Sequence, residues 1–279
     1  MPSLSPSHLI ALDVDGTLMR DDGTISPTVR EQILRLQSRG HTITLATGRP
    51  AASVIALLHD LGLSPEYAVC SNGAVIVRRA SGGGYDVHSA EVFSPAAALR
   101  LLRLAAPEAM FAVEEEGGDF LLTRRVADFG TQSTSRVVPF DDLLTTRALR
   151  IIIVSDEIRS TALFDQLPIL GLKPVLYAVE NTMWLDIAPE GIHKARALER
   201  VRTLLGVKRS RVVAVGDGLN DIEMLLWAGE QGRGVALAHA PDELRAVATE
   251  TGGSVEDDGA AGVLATIDDI GAPPEESDR

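Results

Sequence analysis

The sequence predicts an α/β protein, a Rossmann-like parallel-sheet core interrupted by an inserted α+β cap domain, and three observations lead there. Runs that are apolar at consecutive positions, such as Leu9-Ile10-Ala11-Leu12 and Val212-Val213-Ala214-Val215, alternate with segments of helical period, as buried parallel strands alternate with their crossover helices. The alternation stops near Ser81 and resumes near Gly191. In between, the pattern is shorter and more mixed, which suits a separate unit inserted into the first. The expected boundaries are 1–80 for the first part of the core, 81–188 for the cap, 189–271 for the second part of the core, and 272–279 for a polar, proline-bearing tail expected to be disordered.

Taken in order, Leu9–Leu12 is the first strand, and Asp21-Asp22-Gly23 turns the chain. Ser26-Pro27 supplies an N-cap followed by proline at the first helical position. Val29, Ile33 and Leu36 then recur at helical spacing up to Gly40. Thr42–Ala46 is β-prone, Val54, Leu57, Leu58 and Leu61 mark a second helix, and Tyr67–Cys70 is a third strand closed by Ser71-Asn72-Gly73. This βαβαβ order implies right-handed crossovers. Ser81-Gly82-Gly83-Gly84 reads as a linker out of this sheet. The inserted unit then holds a helix from Ser94-Pro95 to about Ala105, strands near 111–113, 120–122 and 150–154, a helix near 162–167, and a strand pair at 175–179 and 183–187. A long helix follows Gly191-Ile192-His193-Lys194. The strand at 211–215, the Gly216–Asp221 turn with its helix, the strand at 234–237 and a helix from Pro241 complete the core.

The 279 residues, 45% of them hydrophobic, are enough for a sizeable core. A net charge of −13 argues against nucleic acid or anionic membranes as partners, which usually meet basic patches. An anionic substrate must therefore find a locally positive pocket. Cys70 is the sole cysteine, so an internal disulfide and a cysteine metal cluster are both excluded. Met1–His8 has no basic run leading into an apolar one, and no stretch approaches a membrane span, so the expected compartment is the cytoplasm. Oligomeric state is not legible.

Four polar stretches fall just beyond strand ends or at helix starts: Asp13–Thr17, Thr47–Arg49, Lys194 and Asp217–Asp221. A calcium loop starting at Asp13 would need Gly at its sixth place and Glu at its twelfth, where this chain has Leu18 and Thr24. The types present suit phosphoryl transfer to a carboxylate instead. Asp13 would attack phosphorus, with Asp15 as the acid and base. Asp217 would join Asp13 around Mg²⁺, while Lys194 and the Thr47 hydroxyl would hold the phosphoryl oxygens.

These stretches, together with Ser71-Asn72-Gly73-Ala74, resemble the motifs of the haloacid dehalogenase-like (HAD) hydrolase superfamily, in its Cof-type phosphatase branch with a C2 cap between the second and third motifs. The resemblance implies a phosphoric monoester hydrolase with a Mg²⁺ cofactor, acting on a small phosphorylated metabolite such as a sugar phosphate or phosphorylated cofactor. It assigns Asp13 as nucleophile and metal ligand, Asp15 as acid/base and carbonyl ligand, Asp217 as ligand and Asp221 as support of the metal site. Thr47, Gly48, Lys194 and Asn220 would contact phosphate, and Arg49 would reach substrate. The chain departs from the branch at His193, which precedes Lys194 and reads as a structural helix-entry residue, and at His239, where Asn is common. The run Glu114-Glu115-Glu116 reads as a solvated turn. A sugar phosphomutase, or a non-catalytic phosphate-binding regulator, would keep the same fold. Release of free phosphate separates hydrolysis from both.

Overall fold

The computed structural model describes residues 7–126, 134–155, 166–179 and 182–267. The chain runs β1 (Leu9–Leu12), α1 (Pro27–Ser38), β2 (Thr42–Leu45), α2 (Ala51–Asp60), β3 (Tyr67–Cys70), β4 (Val75–Arg79) and β5 (Tyr85–Ala90). It then leaves the core for α3 (Ala96–Ala105), β6 (Met110–Glu115), β7 (Phe120–Leu122), β8 (Ser135–Val137), α4 (Phe140–Leu143), β9 (Ala148–Ser155), β10 (Leu172–Val179) and β11 (Thr182–Pro189). It returns as α5 (Lys194–Leu204), β12 (Val212–Gly216), α6 (Ile222–Gly229), β13 (Arg233–Ala236), α7 (Asp242–Val247), β14 (Glu250–Thr251) and α8 (Gly259–Ala265).

Why these segments take these forms is local chemistry. Ser26 caps α1 by accepting the Val29 N–H at 3.2 Å, and Pro27 occupies the first turn, where a missing N–H costs nothing. The four consecutive apolar residues of β1 are buried on both faces. Ile10 and Leu12 pack with Ile33 and Leu36 of α1, Leu58 of α2 and Leu264 of α8. Leu9 and Ala11 pack on the other side with Leu198 of α5, Met224 of α6 and Leu244 of α7. Each large side chain fully buried this way contributes about 1.5–3 kcal/mol relative to exposure. The result is a parallel sheet in the order β14-β13-β12-β1-β2 with helices on both sides. A parallel bridge from Ala46 to Val69 brings β3 alongside β2. All the carboxyl ends of these strands lie along one edge, where an open α/β sheet binds its ligands.

Two expectations are revised. The Ser81–Gly84 run does not lead out of the core: β5 turns back and pairs antiparallel with β4, so the four small residues close a hairpin. Small, turn-forming residues serve a tight hairpin as readily as a linker. The Glu114–Glu116 run is not a solvated turn at its first residue, because Glu114 lies within β6 and is completely buried. The expected helix at 162–167 falls almost wholly outside the described residues, as does the 272–279 tail.

The inserted unit is a six-stranded sheet in the order β10-β11-β9-β6-β7-β8. One face, with Phe111, Val113, Ile151, Ile153 and Leu185, packs against α3 and α4. The other carries Met110, Ala112, Ile152, Val154 and Trp184.

At the opposite end of β1 from the polar edge, His8 is 5% exposed, and its N–H donates to His41 Nδ1 at 3.1 Å. Burial, then His41, Arg211 and Arg233, push the His8 imidazole down to about 4. The folded state thus holds His8 neutral while the unfolded chain protonates it near pH 6.5. Stability from this group is complete above that pH and is lost as pH falls toward 4, by about 2 kcal/mol at pH 5. Thermal unfolding at pH 7 and pH 5 is expected to show a smaller drop in His8→Leu than in the wild type. Equal drops would assign the acid lability to other groups.

Candidate active site

Four strand ends and one helix start build the site. Asp13 follows β1, and its N–H donates to Val215 O of β12 at 3.0 Å, which extends the ladder to the first acid and fixes it beside Asp217. Thr47 follows β2; its N–H bonds Val69 O and its carbonyl accepts the Asn72 N–H, stitching the second loop to the third. Asn72 accepts the Asn220 amide through Oδ1 at 3.0 Å, joining that loop to the fourth. Two glycines let these loops close. Gly16 has φ +77, and a Cβ there would stand 2.2 Å from Asp217 Oδ2. Gly73 has φ +98, and a Cβ would stand 2.5 Å from the His193 carbonyl oxygen, so any larger residue would push the start of α5 away.

That start matters because Lys194 is its first residue. His193 serves as N-cap, its Nδ1 accepting the Arg196 N–H at 3.3 Å, which bears out the structural reading of that histidine. Lys194 is fully buried and places Nζ 2.6 Å from Asp13 Oδ1 and 2.7 Å from Asp221 Oδ1. Burial by itself would drive the proton from Lys194, but Asp13 and Asp221 override it and hold the ammonium above its usual range. Burial raises the Asp13 carboxyl, Lys194 opposes that rise, and Asp221 and Asp217 add to it.

Carboxylate oxygens of Asp13, Asp217 and Asp221 lie within 4.8 Å of one another. With all three acids ionised, three carboxylates against one ammonium would leave a net charge of −3 + 1 = −2, in a buried setting where unbalanced charge is costly. Hard oxygens with that excess fit a divalent cation such as Mg²⁺, which would also reverse the rise at Asp13. The three acids are not equivalent. Asp221 accepts from the Lys194 ammonium at Oδ1 and from the N–H groups of Asp217 and Gly218 at Oδ2, both of these at 3.1 Å. Its carboxylate shapes the loop. Asp217 accepts the Thr17 hydroxyl at 2.6 Å, and His239 Nε2 stands 3.5 Å from its other oxygen.

Asp15 is placed differently from the other acids. Its side chain is 60% exposed at the rim, gripped by Arg49 through Nε (2.9 Å) and a terminal nitrogen (2.5 Å). Arg49 therefore faces Asp15 rather than the Lys194 cluster. Its N–H donates to the Thr47 hydroxyl at 3.2 Å, and Gly48 lies against the Asn72 amide.

Sequence reasoning missed a second group, on the cap. Ser71 Oγ donates to Glu114 Oε1 at 2.6 Å, Arg150 bonds the other oxygen of Glu114 at 2.6 Å, and Arg150 also bonds Asp186 Oδ2 at 3.0 Å. The signal for Glu114 was present: it stands two and four places after Ala112 and Met110, on the same face of one strand.

A parallel sheet with acids at its carboxyl edge, a buried lysine between two of them and an inserted cap defines a class of phosphate-handling hydrolases. Residues 10–264 match the haloacid dehalogenase-like hydrolase family, and the chain belongs to it. It is 27% identical over 271 residues to the 5-amino-6-(5-phospho-D-ribitylamino)uracil phosphatase YitU of Bacillus subtilis, covering 92% of this chain and 96% of that one. It is 25% identical over 244 residues to the HMP-PP phosphatase of Yersinia pseudotuberculosis, covering 85% and 86%. Among solved structures, a haloacid dehalogenase-like hydrolase from Bacteroides thetaiotaomicron superposes with a TM-score of 0.76 at 25% identity, covering 94% of this chain and all of the other. Among the described residues, no helix is long and apolar enough to cross a membrane.

Proposed function

We propose that this chain is a Mg²⁺-dependent phosphatase that hydrolyses a small phosphorylated metabolite through an aspartyl-phosphate intermediate. The observation that carries the reading is the Lys194 ammonium held between Asp13 and Asp221, with Asp217 completing the acidic cluster. Asp13 Oδ2, the oxygen turned away from Lys194, attacks phosphorus; the phosphorus bond to the leaving oxygen breaks as the new one forms. Lys194, the Thr47 hydroxyl, Asn220 and the N–H groups at Gly48 hold the phosphoryl oxygens as charge shifts among them. Asp15, once it parts from Arg49 and takes up a proton from solvent, gives that proton to the leaving oxygen; as the carboxylate it then takes one from the water that splits the aspartyl phosphate. Its exposed place at the rim suits a group that must meet both leaving group and solvent. A cation held by Asp13, Asp217 and the Asp15 carbonyl would offset the repulsion between two anions that must meet. The cap supplies the walls that exclude bulk water. The division expected from the sequence, a core of 1–80 and 189–271 around a cap at 81–188, is part of this reading, and the pairing of β5 with β4 supports moving the first limit to about 90.

Relatives named for a phosphoribityl compound and for HMP-PP support a small phosphorylated metabolite as substrate. The test is phosphate release by purified protein from p-nitrophenyl phosphate and a panel of phosphorylated metabolites. Release is expected to stop with EDTA and to return with excess Mg²⁺. Turnover that continues undiminished after complete chelation would refute the metal-assisted route, and transfer without free phosphate would identify a mutase.

A further inference from the structure

One row of side chains crosses four neighbouring cap strands on the face turned away from α3 and α4. Glu114 of β6 pairs with Arg150 of β9, Arg150 shares its face with Ile152 two places on, and Ile152 pairs with Asp186 of β11. Lys173 of β10 pairs with Ala188, which lies on the Asp186 face. Both ends of this row touch the core beside the acidic cluster. Glu114 accepts the Ser71 hydroxyl next to Asn72, and Lys173 meets Glu223, two residues after Asp221, at 2.6 Å. The middle of the row, Arg150 and Asp186, therefore spans the space over the strand ends.

Within that row Asp186 is 8% exposed, and while Oδ2 accepts from Arg150, the buried Oδ1 has no hydrogen-bond partner. Leaving such an oxygen unsatisfied is costly, the more so for a charged group, so a donor brought to it is favoured. Glu114 and Asp186 share the one guanidinium of Arg150, and Lys173 at the far end is engaged by Glu223, so Oδ1 of Asp186 has no cation of its own. An acceptor in that setting suits a neutral or cationic donor and opposes a second phosphate.

We propose that Asp186 is a specificity-determining residue whose Oδ1 accepts a hydrogen bond from a hydroxyl or amine on the leaving group, selecting hydroxylated or amine-bearing phosphomonoesters against diphosphates. This rests on the phosphatase reading above. Glu114 and Arg150 are positioning residues here: Arg150 fixes the Asp186 carboxylate, and Glu114 ties the row to Ser71 on the core.

The experiment compares kcat/KM of wild type and Asp186→Ala, which removes the acceptor oxygen, for ribitol 5-phosphate, p-nitrophenyl phosphate and inorganic pyrophosphate. The ratio of ribitol 5-phosphate to p-nitrophenyl phosphate is expected to fall at least about tenfold in the variant, the factor a hydrogen bond to a charged group supplies. The ratio of pyrophosphate to p-nitrophenyl phosphate is expected to rise. Equal losses on all three substrates would overturn the proposal and make Asp186 a structural residue. Should the variant not fold, wild type carries the test: ribitol 5-phosphate is expected to exceed n-pentyl phosphate about tenfold, and parity overturns the assignment. Absence of Mg²⁺-dependent release from every substrate by wild type would be a failure of the phosphatase reading itself, a distinct result.

Discussion

Asp13→Asn is expected to abolish phosphate release, lowering kcat by roughly 10⁴-fold or more, the scale on which loss of a covalent nucleophile acts. Enzymes lower the barrier to phosphomonoester hydrolysis by more than about 20 kcal/mol, so many groups must share the work, and the bond-forming atom is the one without a substitute. The fold should survive. The backbone bond from Asp13 to Val215 does not use the side chain, and Lys194 keeps Asp221 as its partner. An amide of the same shape can still accept from the ammonium. Phosphate release, with thermal unfolding as a control for folding, checks this. Turnover within tenfold of wild type, in a variant that melts normally, would remove Asp13 from the nucleophile role. A companion experiment looks for the intermediate: brief exposure of wild type to labelled substrate followed by acid quench should leave label on the peptide bearing Asp13, and Asp13→Asn should leave none.

What the sequence made legible follows from how each feature is encoded. Strands buried on both faces are written as consecutive apolar residues, and β1, β3 and β12 were readable for that reason. The Ser26-Pro27 start of α1 is written in the cap itself. The short strand β8 was not legible, because Ser135-Arg136-Val137 has too few apolar residues to set a period. The run after Ala80 carried turn residues without saying whether the chain leaves or returns; pairing of β5 with β4 decides that, and pairing is a long-range fact. The same holds at the site. The types of Asp13, Lys194 and Asp217 suggested chemistry, but the 181-residue separation between Asp13 and Lys194 closes only through the sheet order. Asp15 and Arg49 were assigned separate tasks, whereas the fold pairs them at the rim. Glu114 was obscured by the two acids after it. Glu115 and Glu116 meet Arg136 and Arg147 in exposed pairs, while Glu114, one step earlier in the pleat, faces the core.

Lys194→Met is expected to damage stability and catalysis together, which separates it from Asp13→Asn. The methionine fills similar volume along the apolar stem but leaves Asp13 and Asp221 facing each other, both buried, with no cation between them. Removing one partner of a buried ion pair typically costs about 3–5 kcal/mol, because the charge left behind keeps its desolvation penalty and loses its compensation. Adding Asp13→Asn to Lys194→Met removes one of the two stranded acids. The double variant is therefore expected to melt at a higher temperature than Lys194→Met alone, a coupling that a double-mutant cycle reads directly. Activity should not return in the double variant, since both the nucleophile and the ammonium that holds the phosphoryl oxygens are gone. Urea unfolding of the four proteins, in EDTA so that no added cation replaces the lysine charge, gives the cycle. Additive effects would mean that Lys194 stabilises the fold by packing alone, and the electrostatic account of the cluster would fall with that result.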